Sequence, residues 1–290
     1  AVVSIRFYGK GVLRKILRTD DWIILVALIF SIAATAMPLV ALNYGLGLRL
    51  ADADPSNMVH ILQIVYANDL IYPTAVGLTK VSICWSYLSL FPSHGNRIFC
   101  YTMTGFVVLY SVLCLVLSLA ECRPIQAYWD HTIPGAQCWD TNITIFVNAS
   151  LNSVIDVVVY LWPIRPLWAL QLPTQQRLGL VALFSMGLIV CVVGIMRIYY
   201  LSQVFVGGDT LWNGIPIWIC SVLEVNLGII CACLTGVKPV LARLLPQIFG
   251  SSQRSHNRRS YAQYGQRTGR RTVGGPESFA FEQLSSVKRK

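Results

Sequence analysis

Ionisable side chains stand inside the long apolar stretches of this 290-residue sequence: they are Asp69, Lys80, Asp156, Arg197 and Glu224. A charged group at the centre of a bilayer costs about 2.5 to 3.5 kcal/mol even on the lenient insertion scale, so each must face protein or water rather than lipid. Two interpretations fit this pattern. Either the residues line a polar binding cavity or an ion relay, or they form interhelical ion pairs that fix the packing and register of the helices.

Depth along the helices predicts which of these residues meet. At a rise of about 1.5 Å per residue, Lys80 and Asp156 fall near mid-depth, while the other three fall in the outer half. Opposite charges therefore occur at matching depths, and an unpaired charge there is costly. We expect Lys80 to pair with Asp156, and Arg197 to pair with Glu224 or Asp69.

Polar residues recur every four positions at Asn148, Asn152 and Asp156, which places them on one face of a helix. This face points inward under either interpretation and adds Asn152 to the predicted intramembrane polar cluster. Asn148 also begins a glycosylation sequon, but one that lies within the membrane. The sequon that begins at Asn142 starts at the outer boundary and is the candidate acceptor.

Cys122 and Cys138 are separated by fifteen residues in a polar connection, whereas the other seven cysteines lie in apolar runs. Because this connection is assigned below to the oxidising side of the membrane, a disulfide is expected. Closing such a loop contributes about 3 kcal/mol in the chain-entropy model, and here it would fix a lid over the mouth of the bundle. The alternatives are two unpaired thiols or a zinc site, for which His131 is the one nearby imidazole.

Catalytic motifs do not occur in the sequence. The four histidines are scattered, and there is no His-Glu-x-x-His, Gly-x-Ser-x-Gly or phosphate-binding glycine loop. We therefore predict neither a catalytic centre nor a metal site, and an enzymatic role is the less favoured class.

Composition indicates that the helices which carry these residues lie in a lipid bilayer rather than in water. Charged residues make up 12% of the chain and hydrophobic residues 55%, against about 25% charged residues in a soluble protein. Six apolar stretches are long enough to cross a hydrocarbon core of about 30 Å, and their continuous hydrophobicity excludes the alternating strands of a membrane barrel. The predicted fold is an all-α polytopic membrane protein with spans at about 22–47, 60–91, 98–120, 142–168, 178–206 and 213–241.

The N-terminal residues 1–7 are apolar and run directly into a basic segment, which is the reverse of the order in a signal peptide. We expect them to be the stub of a truncated first helix, so that the bundle, over 8–250, belongs to a seven-helix protein of which six complete spans are visible.

Orientation follows from the Lys and Arg residues of the connections, which concentrate on the cytoplasmic side. Ten lie in 6–21, 92–97, 165–177 and 238–250, before the tail is counted, whereas 48–59, 121–141 and 207–212 contain only Arg49 and Arg123. The N-terminus is therefore expected outside and the C-terminus inside. Residues 251–290 contain nine Lys and Arg and two acids without apolar periodicity, which predicts a disordered basic cytoplasmic tail. Such a tail is a topology determinant or a weak lipid anchor, and nucleic acid is not an expected partner.

Several segments together resemble the fungal rhodopsin-like integral membrane proteins, a family that includes the Pth11-type G-protein-coupled receptors. The resemblance covers about residues 3–245 and rests on Asp20-Asp21-Trp22, Tyr44-Gly45-Leu46-Gly47, Leu78-Thr79-Lys80-Val81-Ser82, Tyr87-Leu88-Ser89-Leu90-Phe91, Cys122-Arg123-Pro124-Ile125 with Trp129 and Cys138, Asn152 to Asp156 with Pro163, Arg197, and Glu224 with Ile229-Ile230-Cys231-Ala232-Cys233-Leu234. It implies seven helices with an outside N-terminus, in the plasma membrane.

Two properties suggested by the family name are tested by particular residues. A bound retinal needs a mid-depth lysine in the last helix, whereas Lys238 stands at the inner end of the last span, so no cofactor is expected. The resemblance implies a G protein as a partner, but 88–92 and 236–239 carry neither the Asp/Glu-Arg-Tyr nor the Asn-Pro-x-x-Tyr motif of typical receptors.

Three functions remain. The favoured one is a receptor-like sensor of an external small or surface-derived ligand. The others are a transporter or export accessory, for which the sequence shows no internal repeat, and a membrane enzyme or assembly partner in fungal secondary metabolism.

Overall fold

The structure, a computed structural model, describes residues 2–8, 19–49, 51–52, 54–90, 93–130, 132–139, 141–163, 174–206 and 209–244. In 89–90, 141–142, 174–180, 182 and 236–244 it describes the backbone alone. The predicted tail, 251–290, lies outside the described residues.

Seven α-helices make up the described part of the bundle. They are α1 (Val2–Phe7), α2 (Thr19–Asn43), α3 (Pro55–Leu90), α4 (His94–Ala120), α5 (Thr141–Leu161), α6 (Thr174–Phe205) and α7 (Thr210–Leu244). The prediction of an all-helical membrane protein is confirmed. Five segments are long and apolar enough to cross a membrane: Thr19–Asn43, His94–Ala120, Ile143–Leu161, Leu183–Phe205 and Thr210–Thr235.

Helix α3 occupies the centre of the bundle and packs against α2, α4 and α7. Its 36 residues extend about 54 Å, which exceeds the thickness of the hydrocarbon core. The C-terminal half of α3 is the most enclosed, since Ile83 and Cys84 are fully buried. Lipid-facing positions such as Leu109 on α4 are instead 69% exposed. Apolar residues therefore cover the outside of the bundle, and polar residues concentrate within it.

Two predicted spans end earlier than expected, and local geometry explains both differences. Helix α2 ends at Asn43 rather than near residue 47 because Gly45 and Gly47 adopt positive φ angles of 102° and 99°, which end a right-handed helix. A Cβ at Gly47 would also lie 2.6 Å from Ile215 Cδ1. Helix α5 ends at Leu161, because Pro163 disfavours helical geometry in the residue before it. The predicted continuation over 164–168 lies outside the described residues.

The connection between α4 and α5 contains a two-stranded antiparallel sheet. Strands β1 (Cys122–Arg123) and β2 (Gln137–Cys138) pair with Cys122 opposite Cys138, and a short 3₁₀ helix, Ile125–Tyr128, lies between them. The two cysteines form a disulfide, as predicted. Ala127 and Tyr128 of this connection are buried, and Tyr66 of α3 packs against them, so the connection lies against the end of the bundle.

Candidate functional site

Lys80 lies on α3 and points into the bundle, where its ammonium group meets three acceptors. Nζ lies 3.0 Å from Asp156 Oδ1, and it donates to Asn152 Oδ1 at 2.7 Å and to the Asn152 carbonyl at 3.1 Å. Two hydrogen bonds to Asn152 and the charge of Asp156 thus surround the ammonium group. The expected pair between Lys80 and Asp156 is therefore present, and Asn152 completes it.

Asn152 also connects this pair to a second one. Its side-chain amide donates to Glu224 on α7 and, at 3.4 Å, to Asp156 Oδ2. Glu224 Oε2 in turn lies 3.4 Å from Arg197 Nη1 on α6. Four helices thus contribute to one network, whose two cations and two carboxylates balance. Buried opposite charges stabilise one another best when their other polar atoms are also bonded, and Asn152 bonds one atom of Lys80, one of Asp156 and one of Glu224.

Arg197 lies at the other end of this network. Its Nη1 donates to the Tyr72 hydroxyl, its Nη2 to the Ala149 carbonyl at 3.4 Å, and the guanidinium stands 5.2 Å from the centre of the Tyr72 ring. Of the two partners expected for Arg197, the structure selects Glu224. Asp69 instead accepts a hydrogen bond from Tyr128, with Oδ2 at 3.3 Å from the hydroxyl oxygen. Tyr72 was absent from the sequence-based site because an aromatic residue in an apolar span gives no polar signal.

A cavity of about 530 Å³ lies between α3, α4, α5, α6 and α7. It extends from Met58, Tyr128 and Thr210, near the helix ends on the disulfide side, to Lys80 and Asn152 in the middle of the bundle. Asp69 and Arg197 also line it. Its volume is within the range of about 300–1,000 Å³ usual for small-molecule sites. The six residues of the predicted polar cluster are thus distributed, with four on the cavity wall and with Asp156 and Glu224 behind it.

Tyr128 connects the disulfide connection to the cavity. Its ring packs 5.0 Å from that of Tyr66, and its hydroxyl bonds Asp69. Burial raises the pKa of the Tyr128 phenol, and the nearby carboxylates of Asp69 and Glu121 raise it further. Asp69 and Glu121 both line this end of the cavity, which is therefore acidic and aromatic.

A second charged cluster, at the opposite end of the bundle, was not predicted. Arg6 on α1 is fully buried, and it donates to Asp20 at 2.5 Å, to Asp21 at 2.8 Å and to the carbonyl of Ala232 on α7. In the sequence, Arg6 is one of several basic residues that indicate topology. The adjacent acids at the start of an apolar helix were the available signal, since a buried carboxylate pair needs a cation.

Three further predictions concern ligands and modification. Asn148 is part of an inward seam, because the Tyr110 hydroxyl donates to its side chain. The structure describes only the backbone of Asn142, the candidate glycosylation site. The same holds for Lys238, the lysine of the last predicted span. Within the described residues, no group of three or more His, Cys, Asp or Glu side chains could hold a metal ion.

Comparison with known proteins places this sequence in a family. Residues 5–243 match the family described as the fungal rhodopsin domain. The chain is 29% identical to a polyenoic acids biosynthesis gene cluster protein, Ba17b, of Metarhizium anisopliae, over 88% of this chain and 74% of the relative. It is 27% identical to fugralins biosynthesis cluster protein 2 of Gibberella zeae, over 80% of this chain and 60% of the relative.

Another relative is named as a receptor. The chain is 20% identical to Receptor GIN3 of Arthrobotrys oligospora, over 91% of this chain and 66% of that protein. No solved structure matches the chain. Because the family match covers most of the sequence and agrees with the helices and buried charges described above, this chain belongs to the fungal rhodopsin family and is a multi-pass integral membrane protein with a rhodopsin-like seven-helix domain.

Proposed function

We propose that this protein is a receptor-like sensor that binds a small ligand, free or released from a surface, in the cavity between α3 and α7. The observation that carries the proposal is the cavity itself, which runs from the disulfide end of the bundle to the buried network of Lys80 and Asn152. A ligand there would touch residues whose hydrogen bonds join four helices. Binding can shift a conformational equilibrium only through such differential contacts.

Helix α7 offers a route from the cavity to the opposite end. Glu224 belongs to the cavity network, and the carbonyl of Ala232, eight residues later, accepts a hydrogen bond from Arg6. The two positions are about 12 Å apart along the helix. A ligand that displaces α7 at Glu224 would thus change the contact of Arg6 on α1 with Ala232, and through Arg6 its ion pairs with Asp20 and Asp21 on α2. A G protein is the partner to test at that end.

We propose an orientation with the cavity end outside, the C-terminal tail in the cytoplasm, and residence in the plasma membrane. The excess of Lys and Arg in the opposite connections supports it, as does the disulfide. Protease added to sealed, right-side-out vesicles should spare an epitope placed after Lys290. Removal of that epitope by the protease would contradict the orientation.

A second function, membrane accessory protein in fungal secondary metabolism, is favoured by the printed names of relatives. Besides the two biosynthesis cluster proteins above, they include Wortmanamides biosynthesis cluster protein C of Talaromyces wortmannii, 26% identical over 75% of this chain and 62% of the relative. In such a role the same cavity would hold a biosynthetic intermediate for transport or transfer.

Deletion of the gene distinguishes the two functions when transcripts and metabolites are profiled together. Loss of a sensor should change the transcripts of many genes, and with them the secreted metabolites, only under inducing conditions such as growth on a surface. Loss of an accessory protein should leave transcripts unchanged while an intermediate accumulates in the cells.

The cavity is tested by complementing the deletion strain with variants. Ile145→Trp fills the cavity, whereas Leu109→Trp adds the same side chain on the lipid-facing side of α4. We expect both variants to reach the membrane and only Leu109→Trp to restore the wild-type profile. Full restoration by Ile145→Trp would contradict a role for the cavity in either function.

A further inference from the structure

We infer that the ligand of this cavity carries a protonated amine, which binds Asp69 near the disulfide end, and an apolar body, which extends toward Lys80. This inference rests on the proposed function, because it assigns the chemical class of the ligand to the same cavity. It follows from the distribution of charge and aromatic rings along the cavity wall.

Asp69 differs from the two cations of the cavity wall, Lys80 and Arg197, because its hydrogen-bond partner carries no charge. Lys80 and Arg197 each face a carboxylate, whereas Asp69 accepts one hydrogen bond, from the neutral Tyr128 hydroxyl, and forms no ion pair with any described residue. A carboxylate enclosed by protein in the membrane is costly without an opposite charge. A ligand ammonium group would supply that charge through a charge-assisted hydrogen bond.

Two aromatic residues, Tyr72 and Tyr128, line the cavity together with Asp69. Tyr66 and Tyr72 lie three residues before and after Asp69 on α3, so the three share one side of the helix. Tyr128 packs against Tyr66 at 5.0 Å, and Trp129 at 5.8 Å. Ring faces attract organic cations.

The charge balance of the cavity disfavours an anionic ligand. The two cations that line the wall, Lys80 and Arg197, are balanced by Asp156 and Glu224 directly behind them. Lys80 also donates two hydrogen bonds to Asn152. The Asp69 charge is therefore not offset by the paired cations, and a ligand carboxylate near it would meet like charge.

The residues that line the cavity between Asp69 and Lys80 indicate the chemistry of the rest of the ligand. Asp69 and Lys80 are eleven residues apart, or about 16 Å along α3. Pro73 and Val76 line the cavity between them, and Ile145 and Leu201 line it from α5 and α6. A molecule with one amine and an apolar chain or ring system matches this order of polar and apolar surface.

The test uses the full chain in nanodiscs of phosphatidylcholine and three probes of one shape. They are 4-phenylbutylamine, 4-phenylbutanol and 4-phenylbutyrate, and thermal unfolding is followed by the fluorescence of the eight tryptophans. We expect the amine to raise Tm at concentrations at least about tenfold below those the alcohol needs, because it gains an ion pair. The butyrate should give no shift.

Asp69→Asn is the decisive variant, since an asparagine oxygen can still accept the hydrogen bond from Tyr128 and the fold should survive. This variant should weaken binding of the amine at least about tenfold and leave binding of the alcohol unchanged. Asp52→Asn, which removes an exposed carboxylate outside the cavity at the same end, should change neither.

Other results would overturn the inference. Amine binding that is equal in Asp69→Asn and in the parent protein would remove Asp69 from the site, and tighter binding of the butyrate would reverse the charge of the ligand. If Ile145→Trp still abolished binding of the active probe in those cases, the cavity and the proposed function would stand. No Tm shift with any of the three probes would count against both.

Discussion

Asn152 donates a hydrogen bond from its side-chain amide to the Glu224 carboxylate, and this bond connects α5 to α7 inside the bundle. The oxygen of the same amide accepts from Lys80. One neutral residue thus satisfies a cation of one ion pair and an anion of the other. An amide can do so because it carries both donors and an acceptor, which neither a carboxylate nor an apolar side chain offers.

Replacement of Asn152 by leucine should therefore destabilise the bundle although it removes no charge. Lys80 and Glu224 would each lose a bonded partner, and a buried polar atom left without one costs about 1–3 kcal/mol. We expect lower Tm in detergent and less protein at the membrane. Leu151→Ala, one position away and 46% exposed, is the control. Equal stability of the two variants would show that the Asn152 bonds are not stabilising.

The ion pair of Lys80 and Asp156 can be tested with a double-mutant cycle. Lys80→Met alone should cost about 3–5 kcal/mol because it leaves a buried carboxylate without its cation. Lys80→Met combined with Asp156→Leu should recover much of the loss, measured as folded protein by size-exclusion chromatography. If the pair also serves ligand binding, the double variant should reach the membrane and remain inactive. A double variant no better expressed than the worse single variant would contradict the pairing.

The sequence predicted those contacts that follow from depth and compartment. Lys80 with Asp156 could be expected from matching depths, and Cys122 with Cys138 from their shared connection. The separation of Asp69 from Arg197 could not be predicted, because it depends on the rotation of α3 and α6 about their axes. Apolar periodicity sets that rotation poorly when a helix is hydrophobic on all sides.

Contacts between residues far apart in the sequence could not be predicted either. Arg6 reaches the carbonyl of Ala232, 226 residues away, and a main-chain acceptor leaves no trace in the sequence. The position of Arg6 in a short basic stretch indicated topology instead. Tyr72 and Tyr110 were missed for a related reason, since a tyrosine in an apolar span is indistinguishable from a residue that only packs.

The disulfide between Cys122 and Cys138 should stabilise the connection that covers the cavity. Replacing both cysteines by serine should lower the free energy of unfolding by about 3 kcal/mol in the chain-entropy model. Reductant should lower the Tm of the parent protein and leave that of the double variant unchanged. Cys220→Ala, at a free and buried cysteine, should retain the sensitivity to reductant. Mass mapping under non-reducing conditions that finds both thiols alkylated would contradict the bridge.

Arg6 should stabilise the end of the bundle opposite the cavity, because it stands between two adjacent buried carboxylates, Asp20 and Asp21. Arg6→Met would remove that cation and leave like charges side by side, at a cost of about 3–5 kcal/mol. Arg6→Lys should retain only part of the stability, since an ammonium group lacks the planar fork that reaches both carboxylates at once. Arg49→Met, at an exposed arginine on the cavity side, should leave Tm unchanged. Comparable Tm values for Arg6→Met and Arg49→Met would show that this cluster does not hold α1 against α2 and α7.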